Sequence, residues 1–241
     1  MRMESAGKSL SMHSGELKDA PLVVLNTFQE EGEKVYKAVK ATCDQDFSLL
    51  CVSGLDWNRE LSPWQSPSLS DDETPFSGGA DEYLDSLTGR IIPDAIEKAG
   101  IDPEYISLAG YSLAGLFAVY SLYRTGMFSR VASASGSFWF PGFVDLVRER
   151  EPAHMPDRIY FSLGDKEART RNQILSTVEV GTRTVFGTFI EKGTDAVFCL
   201  AKAPSLNYVY IICGAAAVLA LIIVFVLIIR RSRRRKQAKK K

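Results

Sequence analysis

At 241 residues, with 46% hydrophobic and 24% charged side chains, the chain has the length and apolar content for one sizeable α/β domain around a single core. Its 29 basic and 29 acidic residues balance, but nine of the last twelve residues are Lys or Arg. The chain before that tail is therefore acidic, which argues against nucleic acid as a partner of the main domain.

The four cysteines, Cys43, Cys51, Cys199 and Cys213, show no paired spacing, so neither a disulfide framework nor a zinc site is signalled. No apolar run opens the chain, so no secretory signal peptide is expected. Residues 1–20 are polar and without a sustained period; they read as a loose lead-in with room for one short strand, and His13 within them reads as a solvated loop residue.

Leu22 to Leu25 form the first apolar run, followed by Asn26, Thr27 and Phe28 and then a charged helical stretch from Glu30 to Lys40. Strand, loop, helix is the expected order. Phe47 to Val52 is a second buried strand. It leads into a long loop with Asp56, Trp57, Pro63, Trp64, Pro67 and Pro75, and a loop of that length is usually functional or mobile. Asp56, Trp57 and Trp64 are candidates for lining a substrate pocket; the alternative is that they pack the loop onto its own domain. Tyr83, Leu84, Leu87, Ile91, Ile92 and Ile96 recur at helical spacing, which predicts a helix from Asp81 to Lys98 that Gly100 ends.

The ten residues from Ile106 to Gly115 read as a buried strand running into a sharp turn with Ser112 at its apex. Gly110 lies two residues before the serine, Ala114 two after, and Gly115 follows, the small residues that so abrupt a turn needs. The apolar helix after it would place unpaired N–H groups and the positive end of its dipole behind the serine oxygen, where negative charge develops in acyl transfer. Ser112 is the candidate nucleophile.

Val131 to Ser135 is the next strand, ahead of Gly136, Ser137, Phe138, Trp139 and Phe140. Trp139 in this apolar rim is a further pocket candidate, with core packing as the alternative. Ile159 to Leu163 is another strand, ending in Gly164, Asp165, Lys166 and Glu167. A carboxylate just past the strand that follows the nucleophile is where the order Ser, acid, His puts the acid. Glu167 is the first choice and Asp165 the second, although both could instead cap a helix expected from Ala168 to about Glu191. Ala196 to Leu200 is the last strand. Strands alternating with helices imply a mostly parallel sheet with helices on both faces and the site at the strands' carboxyl ends.

The turn around Ser112 matches the nucleophile elbow G-x-S-x-G with alanine in the last position. Together with Leu25 to Phe28, with Gly54 to Trp57 and Ser62 to Trp64, with Ser133 to Trp139, and with Phe161 to Asn172, it resembles a family. These are the esterases related to enterochelin esterases, feruloyl esterases and S-formylglutathione hydrolases, within the α/β-hydrolase superfamily. The resemblance covers about residues 21–200. It implies an α/β-hydrolase-type domain that cleaves a small-molecule carboxylic ester through an acyl-serine intermediate, with no cofactor and no metal. It also implies an oxyanion hole made by the backbone N–H of Leu113 and by that of Thr27 or Phe28.

The chain departs from the family in the loop after the last strand, which should carry the general-base histidine. Residues 201–207 hold none, and the only histidines in the chain are His13 and His154. Weak activity or none is therefore expected, with a non-catalytic binding or scaffold protein of this fold, or a truncated or fused esterase, as alternatives. Residues 208–229 carry no charge, which at about 1.5 Å per residue is long enough to cross a bilayer. They predict a single transmembrane helix, linked to the domain by 201–207 and followed by the basic tail 230–241, which can meet anionic lipid head groups. The basic tail places the C-terminus in the cytoplasm and the hydrolase domain on the far side.

Overall fold

The computed structural model describes residues 1–70 and 73–201. Its centre is an eight-stranded sheet in the order β1-β2-β4-β3-β7-β8-β9-β10. From β4 to β10 the neighbours are all parallel: β4 (Ser48–Ser53), β3 (Leu22–Asn26), β7 (Ile106–Tyr111), β8 (Phe128–Ala134), β9 (Arg158–Gly164) and β10 (Ala196–Ala201). β3 and β4 are buried along their whole length, as expected of parallel strands covered on both faces. The mostly parallel sheet read from the alternation of strands and helices is thus present.

The first twenty residues are more ordered than their polarity suggests. β1 (Arg2–Ser5) and β2 (Lys8–His13) form a hairpin, and β2 pairs antiparallel with β4. Ala6 and Gly7 both sit at positive φ, 48° and 73°, the requirement of a two-residue turn whose twist suits a hairpin. Leu10 and Met12 point into the core while Ser9 and Ser11 alternate with them, a period of two that is short and mostly polar. The lead-in is therefore part of the domain.

Each face of the sheet has its own core. One is built from Val24, Leu108, Val131 and Phe161 with the helices α3 (Ala80–Ser86), α4 (Ile92–Ala99), α5 (Leu113–Ser121), α6 (Phe143–Glu149) and α7 (Val178–Glu191). On the other face Val23, Leu25, Leu49 and Ala109 pack against Val35 and Val39 of α1 (Gly32–Lys40). Every residue of α5 is buried, in keeping with a helix that is apolar on all sides. The short α2 (Trp57–Glu60) and the small hairpin of β5 (Gln65–Ser66) and β6 (Phe76–Ser77) structure the long loop.

Two helix boundaries differ from the sequence expectation. The helix over 81–98 is present, but it contains a π turn at Leu87–Ile91 between α3 and α4. Gly89 and Pro93, which has no N–H to donate, fall in or beside that wider turn. The helix expected from Ala168 begins only with a 3-10 turn at Leu175–Thr177 and continues as α7. Arg169 to Asn172 supply no apolar face, and the Asn172 side chain instead accepts the N–H groups of Ile174 and Leu175 at 2.9 and 3.1 Å. The expected linker beyond Ala201, the span 208–229 and the tail 230–241 lie outside the described residues. Among the described residues no helix is long and apolar enough to cross a membrane.

Candidate active site

β7 lies inside the sheet between β3 and β8, and Ser112 follows it directly as the residue before α5. Its backbone sits at φ 52°, ψ −125°, a region a non-glycine residue adopts only when its surroundings impose it. The surroundings do so from both sides. A Cβ on Gly110 would fall 2.3 Å from the Ala114 carbonyl oxygen, and one on Gly115 would fall 2.7 Å from Ser133 Oγ. The Ser112 N–H donates to Ala134 O at 2.9 Å, and its own carbonyl accepts from Gly115, Leu116 and Ser137. Ser112 Oγ lies 3.4 Å from the hydroxyl of Ser137, which is only 2% exposed.

Leu113 is the first residue of α5, so its N–H has no acceptor within the helix. Of the two candidate second donors, Thr27 directs its N–H and its hydroxyl both to Val52 O, at 2.9 and 3.2 Å. Phe28 is the other. Its backbone N–H is directed to the phenol of Tyr111, the neighbour of the nucleophile. Tyr83 Oη donates to Asn26 Oδ1 at 2.6 Å, which ties α3 to the end of β3 just before this loop. Burial, and after it the Glu31 carboxylate, push the Tyr111 phenol up to about 12, so it stays neutral and can act as a donor.

Glu167 lies in the turn after β9. Its Oε1 accepts the Ser135 hydroxyl and the Gly164 N–H, each at 2.6 Å. Neither Glu167 nor Asp165 caps a helix, because α7 starts well beyond them; the Asp165 N–H donates to Ala201 O at 2.9 Å. Ser135 was not singled out from the sequence. Its bond to Glu167 and its φ of 47° mark its role, and neither is legible in a run of small residues.

The pocket candidates separate. Trp57 packs edge-on to Phe28, with ring centroids 5.4 Å apart, and against Tyr111 at 5.5 Å, so an aromatic wall stands beside the nucleophile. Asp56 is instead the N-cap of α2, accepting from Arg59 N at 3.2 Å. Trp64 donates from Nε1 to Pro141 O at 3.0 Å and packs on Phe140 and Phe143, which fixes the long loop to its domain. Trp139 packs on Phe76 and Phe140. An open cleft of about 690 Å³ lies elsewhere, between the N-terminal hairpin and α1, and is lined by Ser11, His13, Glu33 and Cys51 among others.

Neither histidine reaches the elbow. His13 pairs with Leu49 near the start of β4, stacks on Tyr36, and its pKa is lowered, chiefly by burial. His154 lies in the loop that precedes β9 and packs near Gly126. Both are thus toward the amino ends of the parallel strands, whereas Ser112 and Glu167 are at the carboxyl ends. No group of three or more His, Cys, Asp or Glu side chains suited to a metal ion occurs among the described residues.

Among curated proteins the chain is 30% identical over 146 residues to the uncharacterized protein YbbA of Bacillus subtilis (strain 168), a match that covers 59% of this chain and 58% of that protein. It thus spans little more than half the length of that relative. The fold is similar to that of siderophore hydrolase EstB from Aspergillus nidulans, with a TM-score of 0.69 at 16% identity over 90% of this chain and 91% of the other. An IroE-like serine hydrolase from Shewanella oneidensis is similar with a TM-score of 0.71 at 14% identity, covering 94% and 79%. The enterobactin hydrolase IroE in complex with DFP follows at 0.62 and 18%, covering 92% and 93%. At such identities these structures speak to the fold, which is α/β-hydrolase-like. The model of the family described as "Putative esterase" matches residues 45–196, well over half of the chain, and the chain belongs to that family.

Proposed function

We propose that this chain is a membrane-anchored serine hydrolase of small-molecule carboxylic esters with Ser112 as nucleophile, and that its turnover is weak because no histidine stands at the site. The observation that carries the reading is the backbone of Ser112, held at positive φ between a central strand and the start of a buried helix. Ser112 Oγ attacks the ester carbonyl carbon as its proton passes to solvent water, and the oxygen that gains the negative charge is stabilised by the N–H groups of Leu113 and Phe28. The bond to the alcohol oxygen then breaks, that oxygen taking a proton from water, and a second water adds to the acyl carbon, releasing the acid and restoring the Ser112 hydroxyl. Glu167, with Asp165 as second choice, is the acid positioned to orient a base. The aromatic wall of Phe28, Trp57 and Tyr111 suits a flat, apolar portion of the substrate. Siderophore and enterobactin hydrolases stand among the similar structures, which supports an ester as the substrate class.

Anchoring rests on the uncharged run 208–229 and the basic run after it, with the tail in the cytoplasm and the domain across the membrane. The missing base also favours a second reading, a binding protein that retains the fold and pocket without turnover. A fluorophosphonate probe applied to the full chain in detergent, alongside hydrolysis of aryl esters, tests both. Labelling that disappears in Ser112→Ala supports the hydrolase; no labelling and no hydrolysis leave the binding protein.

A further inference from the structure

The two edges of the sheet are built differently. β1, with the sequence Arg-Met-Glu-Ser, places two charges on one edge, and Arg2 lies 3.5 Å from Glu30. Among the described residues β10 forms the other edge and reads Ala-Val-Phe-Cys-Leu-Ala, with no charge and no proline; its last three residues are exposed, Leu200 by 43%. Apolar, uncharged edges of this kind are templates for pairing with another strand.

The hydrogen bonds to β9 show which groups of β10 are free to pair. Ile159 N–H donates to Asp195 O, and Asp165 N–H donates to Ala201 O. In a parallel pair a residue turns both its N–H and its C=O to the same side, and the side alternates along the strand. Asp195, Val197, Cys199 and Ala201 therefore face β9, and Ala196, Phe198 and Leu200 present their backbone groups outward.

We propose that β10 pairs antiparallel with β10 of a second copy of this chain, about a two-fold axis perpendicular to the sheet at Phe198. That register uses all the outward groups. Phe198 exchanges two hydrogen bonds with Phe198 of the partner subunit, and Ala196 and Leu200 each do the same with Leu200 and Ala196 of the partner subunit. A small residue meets a large one at both ends. Phe198, which already packs on Phe186 of α7 with Arg183 over its ring, meets its own copy on the same face. An uncharged, self-complementary edge offers nothing to a charged partner, and a two-fold pairing closes without leaving a free edge at the junction.

The register makes a specific demand: Val197 stands directly opposite Cys199 of the partner subunit as a non-hydrogen-bonded pair, with Cα atoms about 4.5 Å apart, within reach of a disulfide. The test uses the full chain in detergent micelles with Cys213→Ser as background, oxidised with copper phenanthroline. Val197→Cys is expected to give a disulfide-linked dimer as the main species, and Val197→Cys with Cys199→Ser none. Light-scattering mass should also fall from dimer to monomer in Leu200→Lys, an exposed site where folding, followed by circular dichroism, is retained. A monomeric background protein, whether its edge is free or covered by residues beyond Ala201, overturns the proposal. So does a dimer that survives Leu200→Lys, or a cross-link that joins Cys199 to its own copy without Val197→Cys.

Discussion

The hydroxyl of Ser135, just past the end of β8, donates to Glu167 Oε1, just past the end of β9, at 2.6 Å. This bond joins two neighbouring strand ends at the rim that also holds Ser112, and it leaves the second carboxylate oxygen of Glu167 for another donor. Ser135 makes it from a strained backbone at φ 47°, so two terms of opposite sign meet at one residue. Ser135→Ala removes the hydroxyl and keeps the strain, and should lose on the order of 1 kcal/mol of stability at this half-buried position. Ser135→Gly removes the hydroxyl and relieves the strain, and should lose less. Urea denaturation of both variants checks the order; an equal or larger loss for glycine would show that the backbone at this position carries no strain.

A second prediction concerns the elbow itself. A Cβ at Gly110 would approach the Ala114 carbonyl oxygen to 2.3 Å and its carbonyl carbon to 2.4 Å. These are backbone atoms of the turn and cannot rotate aside. Gly110→Ala should therefore cost about 3 kcal/mol or more, at the upper end of what overpacking produces, and should abolish fluorophosphonate labelling of Ser112. Gly187, where an added Cβ meets nothing within 4 Å, is the control: Gly187→Ala lies within α7 and should stabilise by up to about 1 kcal/mol. Thermal melts of the two variants should move in opposite directions.

Glu31 supplies a prediction with a pH signature. Its residue is 7% exposed, its Oε2 is buried with no hydrogen-bond partner, and burial holds its carboxyl above the ordinary value of 4.5. A carboxyl whose folded pKa is raised favours folding when protonated, so its contribution is full below about 4.5 and is lost as pH rises through the folded value. At neutral pH the charge is a burden. Glu31→Gln should stabilise the protein at pH 7, and the difference from the native chain should vanish below about pH 4.5. Denaturant midpoints at the two pH values measure it, and a gain that persists unchanged at low pH would assign the effect to packing instead.

The parallel strands and the elbow were legible because each is a local signal. Leu22 to Leu25 and Ile106 to Ala109 are continuous apolar runs, and the small residues around Ser112 are demanded by a single turn. What escaped depends on partners far away in sequence. The β1–β2 hairpin is polar on one face and declares itself only through β4, with which Leu10 and Met12 pair at Val52 and Leu50. The choice between Thr27 and Phe28 rests on which N–H the Val52 carbonyl takes, twenty-five residues away. Asp56, Trp57 and Trp64 looked equivalent as polar and aromatic loop residues, yet one caps a helix, one walls the nucleophile and one is hydrogen-bonded to Pro141.

The last prediction is the activity. A serine hydroxyl ionises far too weakly to attack unaided, so full turnover needs a base that takes its proton and later protonates the departing alcohol. His13 and His154 are both remote from the carboxyl ends of the strands, so what remains is the oxyanion hole and binding, which in triad enzymes still provide about 10³ to 10⁴ over water. The chain should hydrolyse aryl esters slowly, because a good leaving group hardly needs protonation, and alkyl esters negligibly. His154→Ala should leave the aryl rate unchanged. The route to rescue is set by one hydrogen bond: Asp165 N–H to Ala201 O at 2.9 Å keeps the exit of β10 beside the turn that holds Glu167. A histidine introduced singly at Ala203, Pro204, Ser205, Leu206 or Asn207 starts from that point, and in at least one of the five variants its ring should bridge Glu167 and Ser112. The gain should appear in alkyl-ester kcat/KM with a rise near the histidine pKa, and Glu167→Gln added to the rescued variant should remove most of it. Alkyl-ester turnover by the native chain that collapses with His154→Ala would instead mean that a base reaches Ser112 from the loop before β9.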